Sequence, residues 1–217
     1  MKVLTIKRGR LISPVNGYHG DVRDILVRDG VITAVGDSID PQGTVVDAQG
    51  CIVTPGFIDI HTHCYPKVSL GMEPDELGIR RGSTAILDAG SSGADNYEDF
   101  RENYIGKSGT KVFTLLNLAK EGLAHGHELS DRKNIDVPRL KEMLQKYPDN
   151  IVGLKARASA SVVGAMGLEP IALAVRTARE VGKPLMVHVG NRPPEFTKVL
   201  DLLQKNDVVT HLSLIHI

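Results

Sequence analysis

The sequence predicts an α/β protein: a (β/α)8-type barrel present through about six strands, preceded by a small β-sheet domain. Three observations predict it. Residues 1 to 55 carry short β-rich runs and no helical pattern. From residue 57 strand-like and helix-like segments alternate, as in a parallel sheet with helices outside. Polar residues recur on one face at the C-terminal ends of successive strands, where barrel enzymes place their chemistry. The expected division is 1–55, 56–211 and a short tail, 212–217.

In the first part, residues 3 to 6 form a short strand. Residues 24–28 and 31–35 flank Asp29-Gly30, a two-residue hairpin signal, since both residue types tolerate positive φ. Residues 44–46 and 51–53 continue the sheet. Pro55-Gly56 then punctuates the chain.

In the second part the strands are expected at 57–63, 84–89, 111–118, 151–158, 184–189 and from 208 onward. Helices are expected at 74–81, 97–104, 137–146, 168–181 and 194–204, the last starting from Pro193-Pro194. Asp136 is placed to cap the third, with Pro138 in its first turn. A long loop, 119–136, precedes it.

A doubly wound sheet and a (β/α)8 barrel both fit this alternation; the faces favour the barrel. On 151–159, Val152, Leu154, Ala156 and Ala158 would point outward, and Gly153, Lys155, Arg157 and Ser159 inward. On 185–190, Leu185, Val187 and Val189 face out and His188 in. On the last strand Val208 and Thr210 face out and His211 in. On the first strand, Phe57-Ile58-Asp59-Ile60-His61-Thr62-His63, the isoleucines share an apolar outer side while Asp59, His61 and His63 share the inner one. Imidazole is the commonest protein ligand for zinc and related ions. Two histidines on an edge strand are the plainer reading of the tripeptide alone. Five inward polar residues from four strands are not, because each buried group would need its own partner.

Composition narrows the function classes. With 26 Lys and Arg against 26 Asp and Glu, the net charge is +0, which gives no electrostatic support for nucleic acid or anionic membrane. The 41% hydrophobic and 24% charged content is that of an ordinary soluble globular protein. No apolar run is long enough to span a bilayer. Lys7, Arg8 and Arg10 interrupt the N-terminus, which therefore lacks a signal-peptide core, and a cytoplasmic location is expected. Cys51 and Cys64 make no disulfide framework; Cys64 should turn away from the histidines as a packed thiol.

The inward set, His61, His63, Lys155, His188 and His211, together with the stretches "DILVRDGVITAVG" and "VTPGFIDIHTH", resembles the amidohydrolase superfamily of metal-dependent hydrolases. The stretches "GLKARASASVVGAMGLEP" and "PLMVHVGN" resemble its dihydroorotase-like amidohydrolase/deacetylase branch. The resemblance covers residues 1 to 211. It implies a β-sandwich-type first domain and a TIM-type barrel. It further implies two divalent metal ions, zinc by default. His61 and His63 would hold one ion, and His188 and His211 the other. Lys155 would bridge them as N6-carboxylysine, formed with CO2 or bicarbonate; a lysine amine, with its usual pKa of about 10.4, would otherwise repel them. A pairing of Lys155 with Asp59 or Asp88 is the structural alternative. Mixed nitrogen and oxygen ligation would also accept Mn, Fe or Co.

The activity implied is hydrolysis of an amide or ester acyl bond of a small carboxylate by a metal-bridging hydroxide. A dihydroorotase- or hydantoinase-type cyclic amide hydrolase and a non-catalytic homologue are the alternatives. The aspartate that serves the family as general acid on its eighth strand has no counterpart here. Arg157 shares the inner face with Lys155 and is a candidate for binding a substrate carboxylate through its fork; pairing with an internal acid is the equal alternative. Asn117 and Asn191 end strands and are candidates for orienting substrate or the groups behind the metal ligands. Asp59 is a candidate acceptor behind the histidines or a simple strand-end hydrogen bonder. His125-Gly126-His127 lies in a polar loop and reads as solvated. The partner expected is a small acyl or cyclic amide substrate, with neither nucleic acid nor membrane, and a homo-oligomer is open for a full-length protein.

A complete barrel of this type needs eight strands and about 250 residues. Leu212-Ser213-Leu214-Ile215-His216-Ile217 matches the translation of CTGTCTCTTATACACATC, which looks like a transposon-end sequencing adapter, so 212–217 is expected to be an artefact and His216 has no role. An unclosed barrel leaves its first and sixth strands as open edges, an aggregation hazard. The literal chain is accordingly expected to be poorly soluble and inactive.

Overall fold

The computed structural model describes residues 2–212. The chain divides into two units, Met1–Phe57 and Ile58–Ile217. The expected artefact segment lies outside the described residues apart from Leu212.

The first unit is a five-stranded sheet of β1 (Val3–Ser13), β2 (Tyr18–Arg28), β3 (Val31–Gly36), β4 (Thr44–Asp47) and β5 (Ile52–Val53), in the order β3-β2-β1-β4 with β5 also on β1. The Asp29-Gly30 turn forms as expected, with φ of 49° and 82°. β1 and β2 run well beyond the expected strands as a long antiparallel hairpin, interrupted by register shifts after Ile6 and Leu11. Those shifts break the period-two signal in the sequence. Asp24 is buried and paired with Lys7, and its carboxylate also accepts the backbone N–H groups of Arg8 and Ile39, each at 2.9 Å.

The second unit is built on six parallel strands, β6 (Phe57–Thr62), β7 (Ser83–Asp88), β8 (Lys111–Asn117), β9 (Ile151–Ala158), β10 (Leu185–Val189) and β11 (Val208–Thr210), in sequential order across the sheet. The sheet is a curled half-barrel, and each expected strand is present. Between the strands lie α1 (Pro74–Leu77), α2 (Tyr97–Asn103), α3 (Val137–Lys146), α4 (Ala160–Val163), α5 (Glu169–Glu180) and α6 (Phe196–Leu200). α3 forms as read, with the Asp136 side chain accepting from the Arg139 N–H at 3.0 Å. α6 opens at Phe196, two residues past Pro194. Among the described residues no single helix is long and apolar enough to cross a membrane.

Two apolar layers flank this sheet. The outer layer joins Leu140, Met143 and Leu144 of α3 and Ile171, Ala174 and Ala178 of α5 to Leu154, Ala156, Leu185 and Val187 of the strands. Each fully buried leucine there contributes about 1.5–3 kcal/mol. The inner layer is small: Ala89, Leu115 and Met186, with Leu87 and Val152 against them. Val152 corrects the face assignment, in which it pointed outward. The ladder steps from Thr114↔Ile151 to Leu115↔Gly153, so β9 carries one extra residue at Val152. That bulge turns Val152 inward and puts Ile151 on the same side as Leu154.

The first barrel strand also differs from expectation. Ile58 and Ile60 are 62% and 59% exposed, not buried on an outer side. β6 is an edge of the sheet, and among the described residues no helix buries its apolar face.

Candidate metal-binding site

The expected inward residues meet at the C-terminal ends of the strands. The His61 and His63 ring centroids are 5.5 Å apart, His61 and His211 5.0 Å, and His188 and His211 4.2 Å. β6 and β11 are opposite edges of the sheet. The sheet therefore curls far enough for side chains from its two edge strands to meet across this rim. His211 lies one residue past β11 at φ 66°, a left-handed conformation uncommon for non-glycine residues but favoured by histidine among them.

Lys155 lies on the inner face of β9 and is 1% exposed. Its Nζ donates to the Met186 thioether at 3.5 Å, a weak acceptor. Among the described residues it makes no ion pair with Asp59 or Asp88, the alternative raised by the sequence. Gly90 makes room for it: a Cβ there would sit 2.5 Å from both Cβ and Cγ of Lys155, and Gly90 has φ +83°.

The electrostatics follow from burial. Desolvation, with Lys155 second, lowers His61 to about 4 and His63 to about 3. Desolvation, then His211 and Lys155, lowers His188 to about 3. His211 is also lowered, by desolvation first and then by Lys155 and Arg157. Burial brings the Lys155 amine down to about 8, against the pull of Asp88. Neutral imidazole is the ligating form, and a partly neutral amine is the form that adds CO2.

Among the described residues no three His, Cys, Asp or Glu side chains group as ligands of a single ion. A two-and-two division of the imidazoles gives no such trio, because the further donor on each ion would be Lys155. The donor set fits divalent ions on its chemistry: four imidazoles, each held below its usual pKa by burial and by Lys155, gather near a buried amine that has no ion-pair partner among the described residues.

The other candidates fare differently. The Arg157 Nε and Nη2 lie 2.6 and 2.7 Å from the two carboxylate oxygens of Glu128, which is 3% exposed. Its fork is thus filled by an internal acid, and a substrate carboxylate would have to displace Glu128. Asn117 is 1% exposed. Its Nδ2 donates to the Gly90 carbonyl at 2.9 Å and its Oδ1 accepts the Ala119 N–H at 3.0 Å. It clamps two turns, with both ends of its amide engaged by backbone. Asn191 is exposed at the rim, with Oδ1 accepting from Ser161 Oγ at 3.3 Å. Asp59 accepts the His61 N–H at 3.0 Å, the strand-end bonding that was its plainer reading. His125 and His127 are exposed, and His125 contacts Glu121 at 3.1 Å. Cys64 is fully buried in the outer layer, where burial pushes its thiol up.

Three groups at the site escaped sequence reasoning: Glu128, Met186 and Ser91, whose Oγ lies 3.0 Å from His63 Nδ1. Ser91 carried a signal. Asp88-Ala89-Gly90-Ser91 is a strand-end aspartate followed by turn residues, the pattern in which the side chain accepts a following backbone N–H.

No protein-family model matches the chain. It is 36% identical over 212 residues to a deacetylase of Enterococcus faecalis, covering 96% of this chain and 56% of the relative. Its fold matches a solved dihydroorotase with a TM-score of 0.89 at 34% identity, over 96% of this chain and 57% of that one. It matches a solved adenine deaminase with a TM-score of 0.86 at 35% identity, over 96% and 56%. The chain spans about half the length of the curated relatives it matches over most of its own length. The rim of histidines, the half-barrel beneath it and these likenesses agree: the chain belongs to the amidohydrolase superfamily.

Proposed function

We propose that this chain carries the metal-binding part of a hydrolase that cleaves an amide or ester acyl bond of a small carboxylate, a deacylase. The observation that carries the reading is the gathering of four imidazoles near the buried amine of Lys155, which makes no ion pair among the described residues. His61 and His63 would hold one divalent ion, His188 and His211 the other, and carboxylated Lys155 would join them.

Lys155 reaches that state by its own chemistry. The neutral amine attacks CO2, an N–C bond forms, and one proton leaves to water, giving an anionic carbamate. Burial favours this by lowering the amine toward neutrality. When bound, the ions would supply a water ionised near neutral pH and would polarise the scissile carbonyl. The protein's remaining part is placement. Asp59 holds the backbone at His61, and Asn117 holds the turn at Gly90 that admits Lys155. Asn191, exposed at the rim, would be a polar group that meets substrate.

The deacetylase relative, matched over 96% of this chain, supports the deacylase reading. The solved dihydroorotase supports a second one, hydrolysis of a cyclic amide. A metal-loaded, full-length version should be assayed with N-acetyl amino acids and acetyl esters beside dihydroorotate and hydantoins. Turnover of the acyl substrates is expected. Turnover of cyclic amides alone would replace the first reading with the second, and bound metal without turnover would favour a non-catalytic homologue.

A further inference from the structure

His63 stands just past the point where the strand ladder holds the chain. β6 ends at Thr62. The Thr62 carbonyl accepts the Ala89 N–H at 2.8 Å, and its hydroxyl donates to the Leu87 carbonyl at 3.1 Å. Beyond His63 the chain is tied by a side chain instead. The N–H of Cys64 donates to Asp88 Oδ2 at 2.8 Å. The other oxygen, Oδ1, accepts the N–H of Ser91 at 2.7 Å, and Ser91 Oγ lies 3.0 Å from His63 Nδ1. Asp88, the last residue of β7, is completely buried, as are Cys64 and Ser91.

One carboxylate therefore bonds the backbone on the far side of His63 and the turn whose serine meets its ring. Burying a carboxylate is costly unless it is hydrogen-bonded, and bonds from backbone N–H to a carboxylate are of the strong kind. Both oxygens are engaged. Neither Cys64 nor Ser91 can shift without leaving a buried oxygen and a buried N–H unsatisfied.

We propose that Asp88 is a positioning residue, which fixes the place of the His63 ring at the rim by holding Cys64 and Ser91 through a single carboxylate. The tie itself is independent of metal; its effect on zinc rests on the metal-site reading above.

The test combines zinc titration with amide hydrogen exchange on the 217-residue chain. Asp88→Asn is nearly isosteric, but an amide has one oxygen, so its NH2 must face one of the two N–H groups. Asp207→Asn is the control. The Asp207 side chain is also buried and accepts two backbone N–H groups, from Leu185 at 3.0 Å and Gln204 at 2.9 Å, at the opposite ends of the strands from the histidines.

In the wild type, zinc at about 100 times its Kd should slow exchange at Cys64 and Ser91 by up to about 100-fold, because opening the tie would release the ion. Asp88→Asn should speed exchange at both amides in the absence of zinc and weaken zinc binding about 10- to 100-fold. Asp207→Asn should leave zinc affinity unchanged. Wild-type zinc affinity in Asp88→Asn, or an equal loss in Asp207→Asn, overturns the proposal. So does zinc that binds the wild type without slowing exchange at Cys64 and Ser91, a result that needs no variant to fold. If the wild type binds no zinc, the metal-site reading falls and the His63 ring signals in 13C NMR decide: broadening in Asp88→Asn but not in Asp207→Asn upholds the positioning role, and unchanged signals overturn it.

Discussion

Gly90→Ala probes the site through packing alone. Gly90 has φ +83°, where an alanine costs about 1–2 kcal/mol from backbone sterics. The new methyl would also lie 2.5 Å from Cβ and Cγ of Lys155, well inside contact distance. Lys155 is 1% exposed, so its stem has little room to retreat, and overpacking of this kind costs about 1–3 kcal/mol. The expected loss is therefore about 2–5 kcal/mol, read as a lower urea midpoint at unchanged slope. A Lys155→Gly background removes both clashing carbons. There Gly90→Ala should cost only the backbone part, about 1–2 kcal/mol. A loss under about 0.5 kcal/mol in the wild type, or equal losses in both backgrounds, would refute the close approach of Gly90 to Lys155.

Other consequences follow from single contacts. Glu128→Gln leaves the Arg157 guanidinium without its counter-charge and should cost about 1.5–3 kcal/mol, with faster proteolysis of the 119–136 loop; unchanged urea midpoint and cleavage would contradict the pairing. Asp24 is held down to about 2, chiefly by its hydrogen bond to Lys7. A depressed folded pKa contributes stability that is present above the unfolded value near 3.8 and lost as pH falls through about 2. That contribution is about 2 kcal/mol, so Asp24→Asn should flatten the acid limb of stability between pH 5 and 2; an unaltered limb would show that Asp24 is not the group responsible. Ile60, 59% exposed on an edge strand, should promote self-association. Ile60→Lys should shift the chain toward smaller species in size-exclusion chromatography, and no shift would clear this face of the role.

The strand-and-helix order was legible because each barrel strand is a short apolar run bounded by turn residues, and α3 announced both its cap and its first turn. The histidines were legible because period-two alternation places His61, His63 and His188 by simple parity. Parity fails where an extra residue enters, as at Val152, whose bulge no single strand betrays because it is defined by the partner's register. It failed again for the long β1–β2 hairpin, where two register shifts hide the alternation. Arg157 and Asn117 were read from position alone. Their partners, Glu128 and the backbone at Gly90 and Ala119, lie 29, 27 and two residues away, and a strand's own pattern does not show which polar group a loop returns to it.

The central claim is that His61, His63, His188 and His211 hold two ions through Lys155. Zinc per chain should be measured after equilibration with zinc and bicarbonate and removal of excess ion, for the wild type beside Lys155→Ala. The account predicts two zinc ions in the wild type and loss of binuclear occupancy in Lys155→Ala. Equal stoichiometry in the two proteins, or a wild type that retains no zinc, would contradict it.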